Sequence, residues 1–308
     1  MTPRIGPGRV VLFRHRDVDF LADDSLTRLW QEKPRPQQPP SPLFAERIRM
    51  SSARTDFWTL TQQGLADLSR RRKPARRIEI SAAPDPVLVD LARSALIIVD
   101  MQNDFIDDAG WFAAMRGVSC APLRAVGPRI NALSRALRAQ GAGIIHLNTG
   151  VRADLANLPA GAIARADDLG RRAGFGFARA EALGPVMVAG HWGAQSHPEI
   201  ERAESDITVL KTRYSGFRDN ELDQILRRLD VTTLFFAGVN LDRCVFATLI
   251  DGAFQGFDPI LVTDACATPS PPATCTAILE LVEMLYGFTT TTENILTGRT
   301  PPHPQNGD

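Results

Sequence analysis

From Ser94 onward the chain alternates between short continuous apolar runs and longer stretches in which apolar residues recur at helical spacing. Ala95–Val99, Gly143–Leu147, Ile207–Leu210, Thr232–Ala237, Pro259–Val262 and Phe288–Thr292 are runs of the first kind, rich in β-branched and aromatic residues. Runs of this length with no polar alternation predict strands buried on both faces. Between them, Pro122–Ala139 carries Leu123, Val126, Ile130, Leu133 and Leu137 on one helical face, with Pro128 set to delay or kink its start. Glu221–Leu229, the segment from Asp242 through Phe246, Leu249, Ile250 and Ala253, and Ala273–Tyr286 read as further helices. Strands separated by helices imply parallel pairing through right-handed crossovers. The expected fold is therefore α/β: a three-layer α/β/α, doubly wound architecture around a six-stranded, mostly parallel sheet. Ligands bind such sheets beyond the carboxyl ends of the strands.

Residues 1–90 follow no such alternation and read as an N-terminal extension ahead of a domain at 91–298, with 299–308 as a disordered tail. Arg9–His15 suits one strand, Pro34–Pro42 is a Pro-rich connector, Phe57–Leu68 has roughly helical spacing, and Arg70–Arg77 places six basic residues in eight. That basic run reads as a solvated linker, because it lacks the interleaved aromatics of a nucleic-acid surface. The long stretch from Asn148 to about Glu204 is irregular, and specificity is expected to lie there.

Composition narrows the class. Over 308 residues, 35 basic and 35 acidic side chains give a formal net charge of zero, with 44% hydrophobic and 23% charged residues. A globular protein with an ample core is expected, with no argument for nucleic-acid or membrane partners. The chain has no apolar run long enough for a membrane span, and its first twenty residues lack a signal-peptide core, so the expected location is the cytoplasm. The four cysteines form no CxxC pair, and Cys120, Cys266 and Cys275 have no motif around them and read as core residues.

Cys244 differs. It falls in the first turn of a helix that follows the strand Thr232–Ala237, where free N–H groups and the helix dipole favour thiolate and can receive an oxyanion. A small buried hydrophobe is the plain alternative. Two more groups fall at strand ends: Asp100 after Ala95–Val99 and Lys211 after Ile207–Leu210. A turn cap and a surface lysine are their plain alternatives. Taken together on one sheet edge, they suit a nucleophile (Cys244), a base that takes its proton and returns it to a leaving amine (Asp100), and a cation that steadies both (Lys211).

The segments Asp100–Phe105 (DMQNDF), Lys211–Phe217 (KTRYSGF) and Gly238–Val245 (GVNLDRCV) resemble the three signature segments of the isochorismatase-like cysteine hydrolases, in order and spacing, across about Ser94 to Leu296. The resemblance implies a six-stranded parallel sheet and an Asp-Lys-Cys triad of Asp100, Lys211 and Cys244. It also implies a cis peptide between Val239 and Asn240 that turns the Asn240 N–H toward the Cys244 N–H as an oxyanion hole. Leu241 departs from the family pattern, which usually has threonine there. Nicotinamidases of this superfamily hold a metal through an Asp and histidines after the second strand. Here that place has only His146, which reads as a hydrogen-bonded core residue, and His191 and His197 lie far from any ligand cluster; no metal and no cofactor are expected.

Two shorter stretches are similar to the ureido-cleaving branch: Tyr214–Phe217 to ureidoacrylate amidohydrolases, and Arg152–Pro159 to biuret hydrolases. They imply a small amide, carbamoyl or ureido substrate, with Tyr214 and Phe217 at the site and Arg152 pairing a substrate carboxylate. Phe105 and Trp111, with Phe112, are expected to wall the pocket. The expectation is metal-independent C–N hydrolysis through a Cys thioester, releasing ammonia or an amine. A vinyl-ether hydrolase of isochorismate type needs no thiol, and an inactive scaffold needs no triad, so the intact set argues against both. Members of the superfamily are often homodimers or homotetramers, and a homo-oligomer is the implied state.

Overall fold

The computed structural model describes residues 10–15, 18–23, 59–61, 63, 65–69 and 73–301. The chain divides after Phe57 into two units. In the first, Val10–His15 pairs antiparallel with Val18–Asp23. The Pro-rich connector, the start of the basic run and the last seven residues lie outside the described residues.

The second unit is organised by one sheet. Its strands are β1 (Ser94–Val99), β2 (Gly143–Thr149), β3 (Ile207–Lys211), β4 (Thr233–Val239), β5 (Asp258–Ala267) and β6 (Phe288–Thr290). They lie in the order β6-β5-β4-β1-β2-β3, and every neighbouring pair is parallel. Alternate residues of each strand feed two separate cores. Leu96, Ile98, Phe235 and Ala237 pack with Ile130, Leu133 and Leu137 of helix Gly127–Ala139. Ala95, Ile97, Leu234 and Phe236 pack on the other side with Leu222, Leu226, Leu249 and Ile278 from helices Leu222–Arg228, Phe246–Phe254 and Pro272–Leu281. Both faces are covered, which is why the strands read as unbroken apolar runs.

Three boundaries differ from expectation. The domain begins before residue 90: Arg77–Ile80 and Val87–Asp90 form an antiparallel hairpin whose Ile80 and Val89 enter the first core, and Glu79 and Ala83 bond backbone to backbone with Arg299 and Thr289. Among the described residues of 57–68 there is no helix; Thr59–Leu60 pairs with Ala66–Asp67, and Thr61 closes the turn by accepting from Leu65 N–H through its hydroxyl at 3.1 Å. Pro122–Ala139 breaks into Ala121–Arg124 and Gly127–Ala139, with Pro128 in the first turn of the second.

Strand order reverses between β1 and β4: the chain runs outward from β1 to β3, then crosses to β4 and runs the other way. Such a switch point opens a crevice at the strand ends. Gly238 permits the close approach there, with φ of 117° and a Cβ position that the Val99 carbonyl would occupy.

Candidate active site

The crevice at the switch point is a cavity of about 600 Å³. Asp100, at φ 50°, follows β1, Lys211 ends β3, and Cys244 lies in the wide helical turn Leu241–Val245 after β4. All three are buried. Lys211 Nζ is 2.8 Å from Asp100 Oδ2, a buried ion pair. The other oxygen, Oδ1, accepts from the Thr149 N–H and hydroxyl, each at 2.9 Å. Cys244 interacts with both Asp100 and Lys211.

β2 lies between β1 and β3, so Asp100 and Lys211 are not on adjacent strands. Thr149, the last residue of β2, fills the gap: its hydroxyl donates to Asp100 and accepts from Lys211 Nζ at 2.8 Å. Gln102 fixes this strand end, accepting from Thr149 N–H at 2.8 Å and donating to the carbonyls of Thr149 and Ala194 at 2.7 Å. Asp104, fully buried, accepts from Trp111 N–H and Met187 N–H and holds Arg179 bidentately at 2.5 and 3.1 Å. The acidic end of the 100–105 segment thus ties the irregular insertion to the site.

Electrostatics depart from the helix-dipole expectation for the sulfur. Burial, then the Asp100 charge, pushes the Cys244 thiol up to about 12, against the pull of Lys211. Both effects favour the thiol over the thiolate. Burial alone would lower Lys211, but Asp100 and Cys244 outweigh it and hold the ammonium above its ordinary range.

Phe105, Trp111, Tyr214 and Asn240 line the cavity with Lys211 and Cys244, and Phe112, Met115 and Phe175 extend the apolar wall. The Val239–Asn240 peptide is cis. Two expected residues are elsewhere. Arg152 is absent from the lining; it is exposed and paired with Asp154 at 2.6 Å, two residues on, so a local partner holds the guanidinium. Phe217 packs on Phe257 at 5.7 Å and against Gly252 in the second core. His146 is buried, 3.5 Å from Asp206 and short of a hydrogen bond; burial first, then Arg202, lowers it to about 4. Among the described residues, no three His, Cys, Asp or Glu side chains group as metal ligands, and no helix is long and apolar enough to cross a membrane.

A doubly wound sheet carrying a cysteine, a carboxylate and an ammonium in one buried crevice at its switch point defines an α/β class of protein suited to nucleophilic chemistry. The Isochorismatase domain family matches residues 94–293, and the chain belongs to that family. It is 32% identical over 236 residues to the ureidoacrylate amidohydrolase RutB of Klebsiella pneumoniae, covering 75% of this chain and 94% of that one. Among solved structures, an isochorismatase family protein from Desulfovibrio vulgaris is 27% identical with a TM-score of 0.54, covering 66% of this chain and 96% of that one. A cysteine hydrolase from Pseudomonas syringae pv. phaseolicola superposes with a TM-score of 0.57 over 68% of this chain and 92% of that one, at 24% identity, which establishes likeness of fold.

Proposed function

We propose that this hydrolase of non-peptide C–N bonds acts on a carboxamide, carbamoyl or ureido compound through a Cys244 thioester, without a metal-dependent step. The observation that carries the reading is the buried Asp100 carboxylate, with Oδ2 2.8 Å from Lys211 Nζ and the carboxylate in direct interaction with the Cys244 thiol. The amidohydrolase name of the Klebsiella relative supports the bond type and the ureido class.

Losing the thiol proton to solvent would leave two anions side by side. Passing it to Asp100 Oδ2 instead keeps a single negative charge facing Lys211, moved from oxygen to sulfur. The thiolate attacks the carbonyl carbon, and the electron pair of the C=O moves to oxygen, where the Asn240 and Cys244 N–H groups form the oxyanion hole. Asp100 returns the proton to the leaving nitrogen as the C–N bond breaks. Ammonia or an amine departs, and Cys244 remains acylated. Asp100, again a carboxylate, deprotonates a water that attacks the thioester, and the thiol is restored as the acid or carbamate leaves.

Ammonia release from ureido acids, biuret, carboxamides and nicotinamide, with intact mass after acid quench, tests this. Release that requires Cys244, with a trapped adduct on the wild-type chain, is the expected result. Turnover that persists in Cys244→Ala would refute the thioester.

A further inference from the structure

The cavity has three chemically distinct parts. At the buried end are Cys244 and Lys211, 6% and 1% exposed. Phe105, Trp111 and Phe112, also buried, form an aromatic wall, with the Phe175 ring tilted against Trp111 at 5.6 Å. The exposed part of the lining includes three arginines, Arg116, Arg165 and Arg172, beside Pro159, Gly161 and Tyr214. No aspartate or glutamate lines the cavity among the described residues.

These arginines differ from the others in the lining. Arg213 is paired with Asp219 at 3.0 Å and donates to the Asn157 carbonyl at 2.7 Å, which makes it a loop clamp. Arg243 lies 3.6 Å from Asp242. Arg116 sits over the Phe112 ring, 5.2 Å from its centroid, with no carboxylate in ion-pair range among the described residues. Among the described residues, Arg165 and Arg172 have no side-chain hydrogen bond or ion pair. They come from separate segments, Arg165 from helix Ala160–Ala166 and Arg172 from the loop after it, while Arg116 ends helix Trp111–Arg116. Three permanently charged, exposed guanidinium groups at the mouth of one cavity, with no carboxylate in ion-pair range of them among the described residues, form a field that an anionic oxo group would complete. The volume, about 600 Å³, lies in the range that holds drug-sized ligands, larger than a bare urea or amide group requires.

We propose that this rim is an anion subsite: the substrate carries a carboxylate or phosphate at one end, bound by Arg116, Arg165 and Arg172, and its scissile C–N group at the other, with an apolar or aromatic segment between them on the Phe105–Trp111–Phe112 wall. The assignment of the scissile end rests on the thioester reading; the rim does not, and the two fail separately.

The test uses three phenylureas that share one aromatic core: 4-ureidobenzoate, 4-ureidophenyl phosphate and the neutral 4-methylphenylurea. Binding to the full chain carrying Cys244→Ala, where no turnover intervenes, is measured by calorimetry at low and high salt. Both anions are expected to bind at least about tenfold more tightly than the neutral compound at low salt, the advantage shrinking with salt. Arg116→Gln, Arg165→Gln and Arg172→Gln combined should abolish the advantage, and the corresponding triple lysine variant should restore part of it. All three side chains are exposed, so the substitutions leave the cores intact. A tighter phosphate assigns the rim to a dianion, and a tighter benzoate to a carboxylate. Equal binding of charged and neutral compounds, an advantage that survives the glutamine variant, or no binding of either anion overturns the proposal. Hydrolysis by the wild-type chain reports on the other reading. Turnover without anion preference would leave the thioester and remove the rim, while tight anion binding without turnover would leave the rim and count against Cys244 chemistry on aryl ureas.

Discussion

Thr149→Val tests the way the site is assembled. Valine keeps the shape and β-branching of threonine, so the end of β2 keeps its packing, but the hydroxyl that donates to Asp100 Oδ1 and accepts from Lys211 Nζ is deleted. A hydrogen bond to a charged group contributes about 1.5–3 kcal/mol. Neither partner is stripped bare, because Oδ1 keeps the Thr149 N–H at 2.9 Å and Nζ keeps Asp100 at 2.8 Å and the Arg213 carbonyl at 3.3 Å. The expected loss is therefore nearer one such bond than two, about 2–3 kcal/mol in guanidinium chloride unfolding with an unchanged slope. Turnover should suffer through kcat, by roughly ten- to a hundredfold, since Asp100 and Lys211 lose their common anchor while the cavity lining is otherwise preserved. Thr149→Ser, which restores the hydroxyl, should recover most of both. A valine variant within about 0.5 kcal/mol of wild type and with full kcat would mean that the hydroxyl bridge is incidental, and the account of how β3, separated from β1 by β2, joins the site would be wrong.

Further perturbations probe other links. Asp100→Asn removes the charge that helps to raise the thiol and leaves Lys211 as the dominant neighbour, so Cys244 should alkylate faster with iodoacetamide near neutral pH while turnover is lost; slower alkylation would reverse the assigned electrostatics. His146, held neutral down to about 4 against an ordinary 6.5, makes a contribution to stability that is complete above 6.5 and lost as pH falls toward 4. Between pH ~7.5 and ~4.5 that loss should approach about 2–3 kcal/mol in the wild-type chain and be absent from His146→Gln; parallel curves would exclude it. Gly193→Ala places a methyl group on the buried Asp104 carboxylate, and should cost at least about 2 kcal/mol and loosen the insertion to proteolysis; an alanine variant as stable and as protease-resistant as wild type would remove Asp104 from that role.

The sheet was legible because strands buried on both faces have no reason to carry polar residues, and each of the six expected runs coincides with an observed strand. Asp100, Lys211 and Cys244 were legible as candidates for a related reason: Asp100 and Lys211 directly follow such a run and Cys244 lies in the helical turn after one, and chemistry-bearing groups at those positions stand out from apolar surroundings. Thr149 did not stand out, because threonine is an ordinary strand residue and its role depends on β2 lying between β1 and β3, an order that no local pattern encodes. Arg152 was misplaced for the converse reason. Its type suits a carboxylate, but Asp154 two residues on already satisfies it. The same residue type recurs at Arg116, Arg165 and Arg172, where the feature that matters is the absence of a protein partner among the described residues. That property appears only when the insertion is folded over the crevice, which the buried Asp104–Arg179 pair brings about from inside the 100–105 segment. One motif thus carries both the Asp100 carboxylate beside Lys211 and Cys244 and the Asp104 carboxylate that holds the insertion, so the insertion can vary in sequence while Asp100 stays fixed at the end of β1.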